Sequence, residues 1–286
     1  MSAHSEVAPL SPSAEEHFLN VDGIRLRYLR AGRGRPLLLI HGLLGYSFCW
    51  RRNFEALGRH FDVIAPDLPG IGFSERPRDL DCSLRAAAAR MLRLLDALGI
   101  EQADVIGNSH GGGIAATMAA DAPGRLHRLI LSAPINPWSE HGQLLTAALA
   151  SRAGRVAFPA IWRGLRRMRG YILRRMYGDP ARIPARSVEG YVAGLMAPGT
   201  TEYLLGVMRC WHSDLRQLER IYSKLDLPVL LLWGDRDSAV LPQSAQRLRS
   251  LIPQAELRIL PGVGHLPHEE APDEFHRVVL DFLRHD

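Results

Sequence analysis

Polar and apolar residues alternate near the start of the chain, where Ile24, Leu26 and Tyr28 interleave with Arg25 and Arg27. A period of two predicts a strand with one buried face and one wet face, with Arg25 and Arg27 on the wet side and Arg30 nearby. His17 to Val21 before it, joined through Asp22-Gly23, completes a predicted hairpin. Later strand-like runs are Pro36 to Ile40, apolar at consecutive positions, and the mostly apolar Phe61 to Ala65, Ala103 to Gly107, Leu126 to Ser132 and Pro228 to Trp233. Such runs suit strands covered on both faces, as in a parallel sheet. Leu257 to Leu260 closes the series. Helical spacing falls between them. Trp50, Phe54 and Leu57 predict one helix; Leu84, Ala88, Met91, Leu92 and Leu95 predict another, capped by Ser83 and ended at Gly99. Ile114 to Ala120, Ala245 to Leu251 and Glu274 to Leu283 complete the set. Strands alternating with helices over short links predict right-handed crossovers and a mostly parallel sheet with helices on both faces.

The rhythm breaks from Pro134 to about Asp226, where aromatic residues and helical content continue without a strand. Trp138, Phe158, Trp162, Tyr171, Tyr177, Tyr191, Tyr203 and Trp211 lie there among Pro and Gly. The stretch reads as a helical cap inserted into one α/β domain. The predicted division is a flexible tail over 1–16, a core over 17–134 and 227–286, and a cap over 135–226. The cap aromatics are expected mostly in the cap's own core, a minority facing a ligand.

Composition narrows the classes. A chain of 286 residues that is 47% hydrophobic has ample core for a folded domain. No run of about 18 uncharged apolar residues occurs, so no transmembrane span is expected. The first residues carry no apolar run, so no signal peptide is read. Cys49, Cys82 and Cys210 follow no metal-ligand spacing and read as free thiols in a reducing cytoplasm. Arginine dominates the net charge of +5, and Arg163, Arg166, Arg167, Arg169, Arg174 and Arg175 crowd one segment. No nucleic-acid-binding signature accompanies them, so nucleic acid is not an expected partner. A solvated helix face is the plain reading; peripheral contact with an anionic membrane through the cap stands beside it.

The chemistry begins at Gly107-x-Ser109-x-Gly111, between an apolar strand and a small-residue helix. This spacing is that of a nucleophile elbow, in which glycines let a strand turn sharply into a helix and leave a serine hydroxyl exposed. A serine hydroxyl needs a base, and histidine both takes and returns a proton near neutral pH. The base in turn needs an orienting carboxylate. Gly234-Asp235-Arg236-Asp237 follows one late strand and Gly264-His265 the next. Strand ends share one edge of a parallel sheet, so Ser109, an aspartate and His265 meet there. Asp235 and Asp237 both offer the carboxylate.

Five blocks in order make the chain resemble a capped α/β-hydrolase over about residues 17 to 284. They are His41-Gly42-x-x-Gly45, Asp67-x-Pro69-Gly70-x-Gly72-x-Ser74, Gly107-x-Ser109-x-Gly111, Gly234-Asp235-x-Asp237, and Gly264-His265-x-Pro267-x-x-Glu270-x-Pro272. The resemblance implies Ser109 as nucleophile, His265 as general base, Asp237 rather than Asp235 as its orienter, and the N–H groups of Leu43 and His110 as an oxyanion hole. It implies no cofactor and no metal. His41 is expected to brace the oxyanion loop, Asp67 to hold its own turn, and His268 and Glu270 to belong to the closing helix. The imidazole of His110 is expected either to line the pocket or to be hydrogen-bonded nearby. Members with an aspartate at the elbow, the dehalogenases and epoxide hydrolases, do not match Ser109. Hydrolysis of a carboxylic ester with a hydrophobic acyl or aryl group is the first expectation. Carbon–carbon hydrolysis of aromatic ring-cleavage products is the second: Gly107-Asn108-Ser109 fits that group, but Leu266 stands where a tryptophan usually follows the histidine. Perhydrolysis remains a side activity compatible with the triad. A ligand-binding or signalling protein on a slow hydrolase scaffold is the reading outside enzymes.

Overall fold

The computed structural model describes residues 12–138, 151, 153, 154, 156–158, 160 and 169–284. Most of the expected tail, Trp162, Arg163, Arg166 and Arg167, and the side chain of Arg169 lie outside the described residues. The core elements run β1 (Glu15–Val21), β2 (Ile24–Ala31), β3 (Arg35–Ile40), α1 (Phe54–Gly58), β4 (Phe61–Pro66), α2 (Leu84–Ala97), β5 (Ala103–Asn108), α3 (His110–Asp121) and β6 (Leu126–Ser132). Cap helices α4 (Arg169–Met176), α5 (Ser187–Leu195) and α6 (Thr200–Tyr222) follow. The core resumes with β7 (Val229–Gly234), α7 (Gln243–Leu251), β8 (Glu256–Leu260), α8 (Pro267–Glu270) and α9 (Pro272–Arg284). Among the described residues no strand lies between β6 and β7.

The eight strands form one sheet in the order β1-β2-β4-β3-β5-β6-β7-β8. β1 and β2 pair antiparallel, as do β2 and β4, and every later pair is parallel. Asp22 and Gly23 take φ of 52° and 79°, the left-handed pair that a two-residue hairpin turn requires. Glu15 and Glu16, assigned to the tail from sequence, pair with Arg30 and Leu29. Period-two alternation sorts each buried strand into two cores. Leu38, Ile40, Val105, Leu129 and Leu131 pack on one face with α2, α3 and the cap helix α6. Leu37, Leu39, Ile106, Ile130 and Leu230 pack on the other with α1 and α9.

Two expectations are corrected. Arg27 does not sit on a wet face: it is 1% exposed. Its guanidinium pairs with Asp67 at 3.1 Å and with Glu16, donates to Ser47 Oγ at 2.9 Å, and lies 4.9 Å from the Phe73 ring centroid. Those partners, drawn from β1 and two loops, replace the water that strand alternation alone would assign to it. The single helix expected over Trp50, Phe54 and Leu57 is instead a 3-10 turn, Ser47–Trp50, followed by α1. Asn53 sits at the break, donating to His268 O at 3.0 Å and accepting from His276 Nε2 at 3.0 Å. Such side-chain bonds compete with helix continuation.

Candidate active site

β5 runs straight into α3 through Ser109, whose backbone takes φ 54° and ψ −117°. No extended or helical L-residue adopts that pair freely, and it costs about 1–3 kcal/mol. The turn is held from both sides. Ser109 N–H donates to Ser132 O at 2.9 Å, and Ser109 O accepts from Gly112 N at 3.0 Å and Ile135 N at 3.1 Å. A Cβ on Gly111 would lie 2.5 Å from His41 O, and one on Gly107 2.7 Å from Gly111 C. Both glycines are therefore demanded by close backbone approach.

β7 and β8 carry the other two predicted side chains to the same edge. Asp237 is 3% exposed; its Oδ2 accepts from His265 Nδ1 at 2.8 Å, and its Oδ1 accepts from Ala239 N at 2.8 Å and Val240 N at 2.9 Å. With Nδ1–H committed to the carboxylate, the Nε2 lone pair of His265 is left to act on a proton. Asp235 is exposed and accepts from Gly262 N at 2.6 Å, a turn contact away from the imidazole. The structure thus places Ser109 and His265 in the lining of one cavity, sets Asp237 against the imidazole of His265 and leaves Asp235 out.

The loop after β3 lies against the elbow: a Cβ on Gly42 would sit 3.3 Å from Ser109 Cβ. Leu43 follows on that loop. His110 opens α3, so its N–H has no acceptor within the helix. Buried His41 donates from Nδ1 to Gly42 O at 2.8 Å and accepts from Leu68 N at 3.0 Å. Burial pulls its pKa below the ordinary value, so it braces this loop as a neutral ring. Asp67 accepts from Phe73 N and Ser47 N, each at 2.8 Å, and so ties its own turn to the loop beside it. The imidazole of His110 meets neither expectation fully. Among the described residues neither nitrogen has a hydrogen-bond partner; the ring stacks on Trp211 with centroids 6.2 Å apart, and burial brings its pKa down to about 3.

The cavity over Ser109 measures about 290 Å³. Its described lining combines Leu43, Ile135 and Val240 of the core with Met176, Tyr191 and Trp211 of the cap, and contains no Lys, Arg, Asp or Glu. Among the described residues, no cluster of three His, Cys, Asp or Glu is placed to hold a metal ion.

Three residues shape the site beyond what their sequence context revealed. Asn108 donates to His265 O at 3.2 Å and to Ser132 O at 3.2 Å, linking the strand before Ser109 to the loop that carries His265. Buried Glu270 accepts from Gly264 N at 2.7 Å, Gly178 N at 2.9 Å and Asp179 N at 2.8 Å, tying the residue before His265 to the end of α4. His265 N–H itself donates to Met176 O at 2.6 Å. Glu269, fully buried, accepts from Tyr177 Oη at 2.8 Å and from Tyr191 Oη, and pairs with Arg51 at 3.0 Å. Asn108 and Glu270 stand inside the quoted motifs, which was signal enough to single them out; Glu269 carried none.

Comparison with known proteins agrees with this architecture. The family model described as alpha/beta hydrolase fold matches residues 35–272. The chain is 31% identical to a 2-hydroxymuconate semialdehyde hydrolase of Pseudomonas sp. strain CF600, covering 91% of each. It is 29% identical to Lipase 3 of Moraxella sp. strain TA144, over 83% of this chain and 74% of that one. The crystal structure of Cfl2 from Burkholderia cenocepacia superposes with a TM-score of 0.85 at 25% identity, covering 97% of this chain and 98% of that one. The sheet order accords with a match spanning most of the chain, and the protein is a hydrolase belonging to the alpha/beta hydrolase fold family.

Proposed function

We propose that the protein hydrolyses a carboxylic ester of a neutral, hydrophobic substrate through an acyl-enzyme at Ser109. His265 Nε2 takes the Ser109 proton as Oγ attacks the carbonyl carbon. The resulting oxyanion rests on the N–H groups of Leu43 and His110, each such donor contributing about 10²- to 10³-fold in rate. His265 returns the proton to the departing alcohol. A water then attacks the acyl carbon, giving its proton to His265, and the acid leaves as Ser109 is reprotonated. Asp237 holds the imidazole in the required tautomer and offsets its charge.

The observation that carries the ester reading is the lining of the cavity, which among the described residues offers no cation. A carboxylate entering such a space unpaired costs several kcal/mol, and the product of aromatic ring cleavage is a dienoate anion. A neutral ester incurs no such cost. Carbon–carbon hydrolysis stands second, supported by the semialdehyde hydrolase relative and by Gly107-Asn108-Ser109. A panel of p-nitrophenyl esters of varied acyl length, with one ring-cleavage dienoate, separates the two. Ester turnover that disappears in a folded Ser109→Ala variant is the expected result. Preference for the dienoate in kcat/KM would replace the first reading by the second, and turnover surviving in Ser109→Ala would remove both.

A further inference from the structure

Between residues 151 and 186 the sequence places ten arginines and one acidic residue, Asp179. That is a local charge of +9 against +5 for the whole chain, so the remainder is net −4. The helix α4 lies within this stretch and divides cleanly by face. Tyr171, Arg174 and Arg175, at i, i+3 and i+4, are exposed together. Ile172, Leu173 and Met176 point the other way and line the cavity above Ser109. Tyr171 is 55% exposed, and Val156, earlier in the same stretch, is 84% exposed. Asp179 is 3.7 Å from Arg182. Arg174 and Arg175 have no ion-pair partner among the described residues.

We propose that the outer face of α4 docks on an anionic phospholipid bilayer, with the cavity behind it receiving an ester dissolved in that bilayer. Arg174 and Arg175 supply attraction to the headgroups, and the exposed Tyr171 on the same face matches the interface, where one end of a ring is apolar and the other wet. A nucleic acid would share the charge but give no account of an apolar, cation-free cavity on the same helix. The identity of the cargo rests on the ester reading; the docking itself does not.

The test is co-sedimentation of the full chain with vesicles of phosphatidylcholine, with and without phosphatidylserine, across salt concentration. Binding should require phosphatidylserine and weaken steeply with salt. Each arginine near such a surface strengthens binding roughly fivefold, so Arg174→Gln/Arg175→Gln should lower it about 25-fold. Turnover of a water-soluble p-nitrophenyl ester should stay unchanged in that variant, which also shows that it folds. Failure to sediment at low salt, equal binding by the variant, or binding displaced by duplex DNA but insensitive to phosphatidylserine would each overturn the proposal. Salt-sensitive vesicle binding without any ester turnover keeps the docking face and removes the ester reading.

Discussion

Glu270 gives the sharpest test of how His265, the proposed base, is held. Its carboxylate accepts three backbone N–H bonds, from Gly264, Gly178 and Asp179, at 2.7 to 2.9 Å. A hydrogen bond to a charged group contributes about 1.5–3 kcal/mol. In Glu270→Ala all three are lost, but the part-buried N–H groups of Gly178 and Asp179 recover water, whereas that of Gly264 is buried and stays unpaired. The net loss is then about 3–5 kcal/mol, or a midpoint lowered by about 6–15 °C for a chain of this size. Glu270→Gln keeps one carbonyl oxygen, which can serve Gly178 and Gly264 as Oε2 does, and turns its amide towards Asp179. One bond is lost, about 1.5–3 kcal/mol. Activity should divide the same way. Releasing Gly264 displaces His265, and a 1 Å misplacement costs about 100-fold, so Glu270→Ala should lower kcat by that order with KM little changed. Glu270→Gln should retain most of it. Scanning unfolding and saturation kinetics on p-nitrophenyl butyrate read both quantities. A Glu270→Ala protein with near-native midpoint and kcat, or a Glu270→Gln protein as impaired as the alanine variant, would refute the coupling.

Two further predictions follow from neighbouring carboxylates. Asp237→Asn should lower kcat by about 10⁴-fold, the cost of a wrong imidazole tautomer, while Asp235→Asn stays within a few-fold of wild type; similar losses in both would undo the assignment of the acid. Burial raises the pKa of Asp214 on α6 to about 6, against the pull of its bond from Leu84 N at 3.1 Å. A raised folded-state pKa means that the folded protein holds the proton more tightly, so this group's stabilisation is complete below about pH 4 and lost as pH rises through 6. Asp214→Asn keeps the acceptor without the charge. It should be more stable than wild type at pH 8, by about 1 kcal/mol once solvent screening is discounted, and no more stable at pH 4. A thermal midpoint difference that is independent of pH would contradict this.

The parallel strands and the elbow were legible because each rests on local chemistry. Consecutive apolar residues suit a strand buried on both faces, and Gly107 and Gly111 mark where a Cβ has no room. Asp237 was separable from Asp235 only by resemblance; geometry supplies the reason, since one carboxylate meets His265 and the other a turn N–H. Arg27 was misplaced because its partners Glu16 and Asp67 come from other segments, and strand alternation cannot register an ion pair across the chain. The cap shows the same limit more broadly. Its aromatics carry no period, and where they go depends on partners far away in sequence: Tyr177 meets Glu269, Tyr203 joins the α2 side of the core, and Tyr171 is left in solvent.

The seam where α4 ends has a consequence for modular exchange. Cap helices are natural units to transplant between family scaffolds when a new specificity is sought, and β6 and β7 offer obvious splice points. Here Met176 O holds the main chain of His265, Ser238 Oγ donates to Arg175 O at 2.7 Å, and a Cβ on Gly264 would come 2.7 Å from the carbonyl carbon of Tyr177. Residues 176–179 therefore belong, in mechanical terms, to the recipient's loop that carries His265 and not to the donor's lid. A transplant that replaces the whole insertion imports a foreign seat for His265, whereas one that leaves this tetrapeptide in place changes the walls of the cavity alone.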